Sequence, residues 1–162
     1  MFVYRIYIMS YFKKIILIFI KNPLNIFLYR RRFLRIETFG ESMEPNFFPG
    51  EFYLVKRNFN PNLFERFDIV VMHCERHNSI HLKRIVGMVN EKICYRKGIL
   101  YINEKKFLEK NVIHNKQINV SIILGEDECF VMSDNRENYN FNCDSINTGP
   151  IKIEHVIGKV IT

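Results

Sequence analysis

Beyond residue 35 the apolar residues come in short runs, each closed by Gly, Pro, Asn or Asp, and the 3.6-residue spacing of an amphipathic helix is almost absent. Runs of this kind, rich in β-branched and aromatic residues, predict a mainly β domain built from short strands. The expected strands are residues 35–39, 52–56, 68–72 and 79–86, a hairpin pairing 92–95 with 99–102 about a turn at Lys97 and Gly98, and closing strands at 129–132 and 155–161. Residues 58–66, marked by Asn60 and Pro61, read as a loop, and the lysine-rich stretch 102–119 reads as a surface excursion.

The first 34 residues differ from this pattern. Eight basic side chains and no acidic one precede Glu37, whereas the remainder carries sixteen basic against seventeen acidic residues. A net charge of +7 is thus a property of the leader, and the near-neutral body excludes the usual footprint of a nucleic-acid-binding domain. The leader's longest uncharged run, residues 22–29, is far shorter than the roughly 20 residues of a membrane span. On a helical wheel, Arg5, Lys13, Lys14 and Lys21 share about half the circumference and leave an aromatic and aliphatic face. Such a helix, broken or kinked at Pro23, predicts membrane attachment through residues 1–32, by an interfacial helix or a poor span. An organelle import leader and a helix packed on the domain are the other readings of the same residues.

Cys74, Cys94, Cys129 and Cys143 show no C-x-x-C spacing and no paired histidines at ligand intervals, so they read as free or buried thiols with no metal site. Cys129 opens an apolar strand, where a small buried hydrophobe fits.

Two stretches carry chemistry. GESMEP, residues 40–45, presents Ser42 at a loop start, and HLKRIVG, residues 81–87, presents Lys83 among apolar neighbours. A serine hydroxyl is a weak nucleophile until a base takes its proton, and lysine serves as that base only if desolvation lowers its pKa by roughly 3 units, about 4 kcal/mol. Arg84 cannot be the base, because a guanidinium keeps its proton. His81 is the competing candidate; in an extended strand it shares a face with Lys83.

GESMEP, FDIVV (67–71), KRIVG (83–87), SDNR (133–136) and DSINTGP (144–150) lie in the order and kind of the blocks of the signal peptidase I family of membrane-bound serine peptidases, which residues 37–161 resemble. The resemblance implies an antiparallel β catalytic core with a small inserted β hairpin, an N-terminal membrane-associated helix, and the division 1–34 anchor, 35–162 peptidase, 90–124 insertion. It implies Ser42 as nucleophile and main oxyanion donor through its own N–H, Lys83 as general base, and no metal or cofactor. Met43 would pack beneath the site, while Asp134, Asn135, Asp144 and Ser145 would hold the dyad in register. Phe39, Gly40, His81 and Leu82 would line a cleft that takes the substrate as an added strand. Four departures stand out: Gly40 where many bacterial relatives carry a second donor hydroxyl, Ser133 for a glycine, Asn142 for a serine that bonds the lysine, and Ile146 for an arginine that pairs with the residue at 144.

Gly40, the small size and the short insertion resemble the mitochondrial inner membrane peptidase subunits. That branch implies precursor proteins with a cleavable sorting signal as substrates, a homologous second subunit, and a catalytic domain facing the intermembrane space. A bacterial or plastid signal peptidase I shares the chemistry in another compartment, and a catalytically silent partner subunit would keep only the fold. A self-cleaving Ser/Lys repressor would need a helix-turn-helix before the peptidase blocks, and none is legible.

Overall fold

The computed structural model describes residues 31–57, 64–137 and 143–161. The chain divides into two compact units, Met1–Leu34 and Arg35–Thr162. The expected leader helix and most of the 58–66 loop fall outside the described residues, as does Asn142. Among those described, no helix is long and apolar enough to cross a membrane.

Among the described residues, eleven strands form two antiparallel sheets. The larger has the order β1-β2-β11-β3-β4-β9-β10, from β1 (Phe33–Glu37), β2 (Phe52–Arg57), β3 (Ile69–Cys74), β4 (Ser79–Gly87), β9 (Glu128–Met132), β10 (Ile151–Lys152) and β11 (Val156–Ile161). The smaller has the order β7-β6-β5-β8, from β5 (Lys92–Arg96), β6 (Ile99–Ile102), β7 (Lys105–Phe107) and β8 (Asn119–Ile123). The mainly β expectation and the 92–102 hairpin therefore hold, with the hairpin enlarged to a four-stranded sheet. Gly98, at φ +78°, supplies the left-handed turn residue that joins β5 to β6.

Strands β4 and β9 wall two cores at once. Ile85, Cys129 and Val131 enter one core with Val70, Met72 and Val156, while Val86, Phe130 and Met132 enter the other with Ile93, Tyr95 and Leu100. Both faces are covered over Ile85–Gly87 of β4 and Cys129–Met132 of β9, which is why those segments read as continuous apolar runs rather than alternating ones. At the end of β4 the second core closes tightly on the backbone: a Cβ on Gly87 would lie 2.6 Å from the Ile93 side chain. Glycine is required there by close approach.

Three expectations need correction. The first strand ends at Glu37 rather than at residue 39. Thr38 N donates to Glu51 O, Gly50 N donates to Thr38 O, and the Thr38 hydroxyl bonds Phe48 O, so these contacts turn the chain before Phe39. The 102–119 stretch is mostly exposed, as a surface excursion should be, but it is more than a solvated loop. It contains β7, buries Ile118 and Glu109, and bridges Ile113 to Asn135. Two of the four cysteines are not free: Cys74 and Cys143 form a disulfide across a sequence separation of 69. A loop of that length constrains the unfolded chain by about 4 kcal/mol in the chain-entropy account. Cys94 and Cys129 remain thiols, and burial pushes Cys129 up to about 12, which leaves it inert.

Candidate active site

Ser42 opens the turn after β1, and Lys83 lies on β4 opposite Val70 of β3. Long-range pairing brings them together: Lys83 Nζ donates to Ser42 Oγ at 2.8 Å and to Leu82 O at 2.9 Å. The Lys83 side chain is buried, with 1% of its surface exposed. Burial lowers its pKa from 10.5 to about 8, against an opposing pull from the Asp144 and Asp134 carboxylates. An amine so placed, with a serine hydroxyl in reach, can take that hydroxyl's proton near neutral pH.

His81 is half-buried two residues away, and its Nε2 pairs with Ser79 Oγ at 2.7 Å. Burial first, then the charges of Lys83 and His77, push its pKa down to about 4, so the ring stays neutral over the working range of a peptidase. Together with Phe39, Gly40, Leu82 and the buried Met43, it lines a cleft of about 360 Å³ that opens on Ser42 and Lys83. Phe39 is 81% exposed at its rim.

The residues expected to support Ser42 and Lys83 each have defined partners. Arg84, facing away from Lys83 on the pleat, forks onto Asp134 with Nε at 2.7 Å and a terminal nitrogen at 2.6 Å. Asn46, from the Ser42 turn, donates to the same carboxylate at 2.7 Å, and Asn135 N donates to Ser42 O at 2.9 Å. The turn at residues 133–136 therefore grips the Ser42 turn directly. Asp134 does this through its side chain, paired with Arg84 and Asn46. Asn135 Oδ1 does accept from a backbone amide, Glu137 N at 3.1 Å.

Asp144 is fully buried and accepts from Ser133 N at 3.0 Å, Ser133 Oγ at 2.8 Å and Ile146 N at 3.2 Å, capping the short helix α1 (Ser145–Thr148). Burial raises its pKa, with the Ser133 bonds and Lys83 opposing. Ser145 Oγ accepts from Val131 N at 2.9 Å, tying α1 to β9. Behind the turn, Arg136 and Glu109 form a buried bidentate pair at 2.7 Å, with Arg136 stacked over Tyr95.

Sequence reasoning missed Arg84, Asn46 and Glu109. Arg84 was legible by its period-2 position, since a strand that buries one cation on one face turns the next to the other. Asn46 and Glu109 carry no local signal.

The family model for signal peptidase, peptidase S26, matches residues 8–162. Signal peptidase I of Bacillus caldolyticus is 30% identical over 137 residues, which cover 75% of this chain and 73% of the relative. Signal peptidase I V of Bacillus subtilis strain 168 is 30% identical over 144 residues, covering 79% of this chain and 83% of the relative. The crystal structure of a signal peptidase I from Enterococcus faecalis V583 superposes with a TM-score of 0.52 at 28% identity, over 61% of this chain and 97% of that one. Antiparallel core and relatives together define a serine endopeptidase. The chain belongs to the signal peptidase family, peptidase S26. These relatives are bacterial, and they overturn the expected placement at the mitochondrial inner membrane. Gly40 lines the cleft, and neither it nor the length of an insertion encodes a compartment.

Proposed function

We propose that this chain is a bacterial-type signal peptidase I that hydrolyses one peptide bond behind the signal peptide of membrane-delivered precursors, with Ser42 as nucleophile and Lys83 as general base. The observation that carries the reading is the 2.8 Å contact between a buried, desolvated amine and the Ser42 hydroxyl. A pKa of about 8 leaves roughly one lysine in ten as free amine at pH 7, against roughly one in 3,000 at the ordinary value of 10.5. Lys83 takes the Ser42 proton as Oγ attacks the scissile carbonyl, and the Ser42 N–H faces the developing oxyanion. The resulting ammonium protonates the leaving amine. Water, deprotonated by the same amine, then hydrolyses the acyl-enzyme.

Met43, Asp134, Asn135, Asp144 and Ser145 serve as support, and the cleft walls at Phe39, Gly40, His81 and Leu82 receive the substrate as an extended strand. Residues 35–162 are the peptidase domain, with 90–124 as its small β insertion, and 1–34 the anchor. Eight basic and no acidic residues before Glu37 support attachment to an anionic membrane surface. Both dyad residues come from one chain, so hydrolysis requires no group from a homologous second subunit, and the amine–hydroxyl contact argues against a silent partner. Processing of a signal-peptide precursor by the full chain tests the reading. Ser42→Ala and Lys83→Ala should each abolish cleavage, and the double variant should be no worse than either, because the pair acts as a unit. Turnover retained by Ser42→Ala would sink the assignment.

A further inference from the structure

Four ligating side chains converge at the β3–β4 turn, outside the dyad. Cys74 ends β3, His77 lies in the 3₁₀ turn Glu75–His77, His81 is on β4, and Cys143 immediately precedes Asp144. One donor atom from each lies within 4.8 Å of those of the other three. Cys74 and Cys143 are buried, His81 is half-buried and His77 is exposed, so the group sits just below the surface with an entry on the His77 side. In this state the two sulfurs are bonded to each other, and His77 Nδ1 is 3.8 Å from Cys74 Sγ.

A disulfide needs no imidazole, and the peptidase chemistry uses neither sulfur. Two thiols and two imidazoles are, however, the donor set of a tetrahedral Zn²⁺ site, with Zn–S about 2.3 Å and Zn–N about 2.0–2.1 Å. Such a site spaces its donors roughly 3.3–3.8 Å apart by tetrahedral geometry. The present set therefore closes on an ion with small side-chain motions once the sulfurs separate. The local spacing, Cys74-x₂-His77-x₃-His81, does fall at ligand intervals, which corrects the reading of these histidines as unpaired and of the cysteines as having no metal site. Its fourth member stands too far along the chain to be recognised without the fold.

We propose that Cys74, Cys143, His77 and His81 form a redox-gated site for a borderline-soft divalent cation of the Zn²⁺ class, closed as the disulfide and open as the dithiol. A dithiol reductant delivers two electrons and two protons, its own sulfurs joining as it is oxidised, and leaves Cys74 and Cys143 as thiols. The cation then displaces both thiol protons, and two thiolates and two neutral imidazoles complete the tetrahedron. A disulfide oxidant reverses the exchange and expels the ion. Since His81 also lines the substrate cleft and Cys143 adjoins Asp144, occupancy ties the cleft wall to the supporting turn.

The test uses the full chain in detergent, reduced with a phosphine and titrated with Co²⁺ as a visible probe. The expected result is one Co²⁺ per chain, with the strong d–d bands of a tetrahedral site and thiolate charge-transfer absorption, both bleached by Zn²⁺; the disulfide form shows neither. Loss of a residue that merely supports a ligand costs about 10–100-fold in affinity. His77→Gln, an exposed change outside the peptidase cleft, should therefore weaken Co²⁺ binding by about 100-fold or more. This variant keeps the test open should Cys74→Ser fail to fold. A reduced chain that gives no tetrahedral spectrum, folded or not, overturns the proposal. So does equal uptake by the disulfide form, or unchanged affinity in His77→Gln.

Discussion

Replacing Lys83 by methionine should make the protein more stable while destroying its activity, and the gain should depend on pH in one direction only. The side chain is buried, and its pKa falls from 10.5 in the unfolded chain to about 8 in the fold, chiefly by desolvation. At about 1.4 kcal/mol per unit, that difference is worth roughly 3 kcal/mol. Below pH 8 the amine is protonated in both states, and the folded chain bears the full cost. Between pH 8 and 10.5 the unfolded chain binds a proton that the folded chain has released, so wild-type stability rises with pH. Above 10.5 both forms are neutral and the cost is gone. Methionine fills a similar volume and never carries this charge, while every other titrating group is common to both chains. The stability difference between Lys83→Met and wild type should therefore be larger by about 3 kcal/mol near pH 7 than above pH 10.5, whatever constant is added by the lost bonds to Ser42 and Leu82. Urea unfolding of both chains at half-unit pH steps measures it. A difference that stays flat from pH 7 to 10.5 would refute the desolvated lysine.

The remaining predictions concern the turn that supports the dyad. Arg136→Met strands the Glu109 carboxylate in a buried site and should cost about 3–5 kcal/mol in urea unfolding, with most of it regained in the double variant Arg136→Met/Glu109→Leu; a loss below about 1 kcal/mol in the single variant would argue that the pair is solvated. Ser133→Gly removes the 2.8 Å hydroxyl bond to a buried carboxylate and should cost about 1–3 kcal/mol while raising the Asp144 pKa further; unchanged stability and an unchanged carboxyl titration would mean that the hydroxyl holds nothing.

Local pattern makes most of the larger sheet legible, because a strand that buries one or both faces must display its apolar residues in short runs. Lys105–Phe107 escapes this logic: two exposed lysines and one half-buried phenylalanine that packs on the second core are too short a segment to display a pattern. Glu109 is hidden for a similar reason, since an acid in a lysine-rich stretch reads as solvated until its buried partner, 27 residues away, is known. The bond between Cys74 and Cys143 is equally non-local, and spacing cannot pair four cysteines. Motif order singles out Ser42 and Lys83. Their contact depends on β3 and β4 pairing in a register that sets Lys83 opposite Val70, and on the Asn135 and Asn46 bonds that draw the serine turn inward. Position 133 is the most instructive case. A serine in place of the family's glycine and an isoleucine in place of its arginine at 146 read as two separate departures, yet in the fold the Ser133 hydroxyl donates to the carboxylate of Asp144, which that arginine pairs with in the family. Two losses in the pattern thus become one substitution of partner.

The pH dependence of kcat/KM for precursor cleavage by the disulfide form, without added metal, tests the dyad most directly. With Lys83 as the base, the rate should climb with pH to a plateau through a single ionisation near the value of about 8 that burial imposes, and His81→Ala should leave that midpoint in place. A midpoint far below 8, towards the value of about 4 that burial gives His81, or a limb that vanishes in His81→Ala while Lys83→Ala still turns over, would show that an imidazole takes the serine proton and contradict the account.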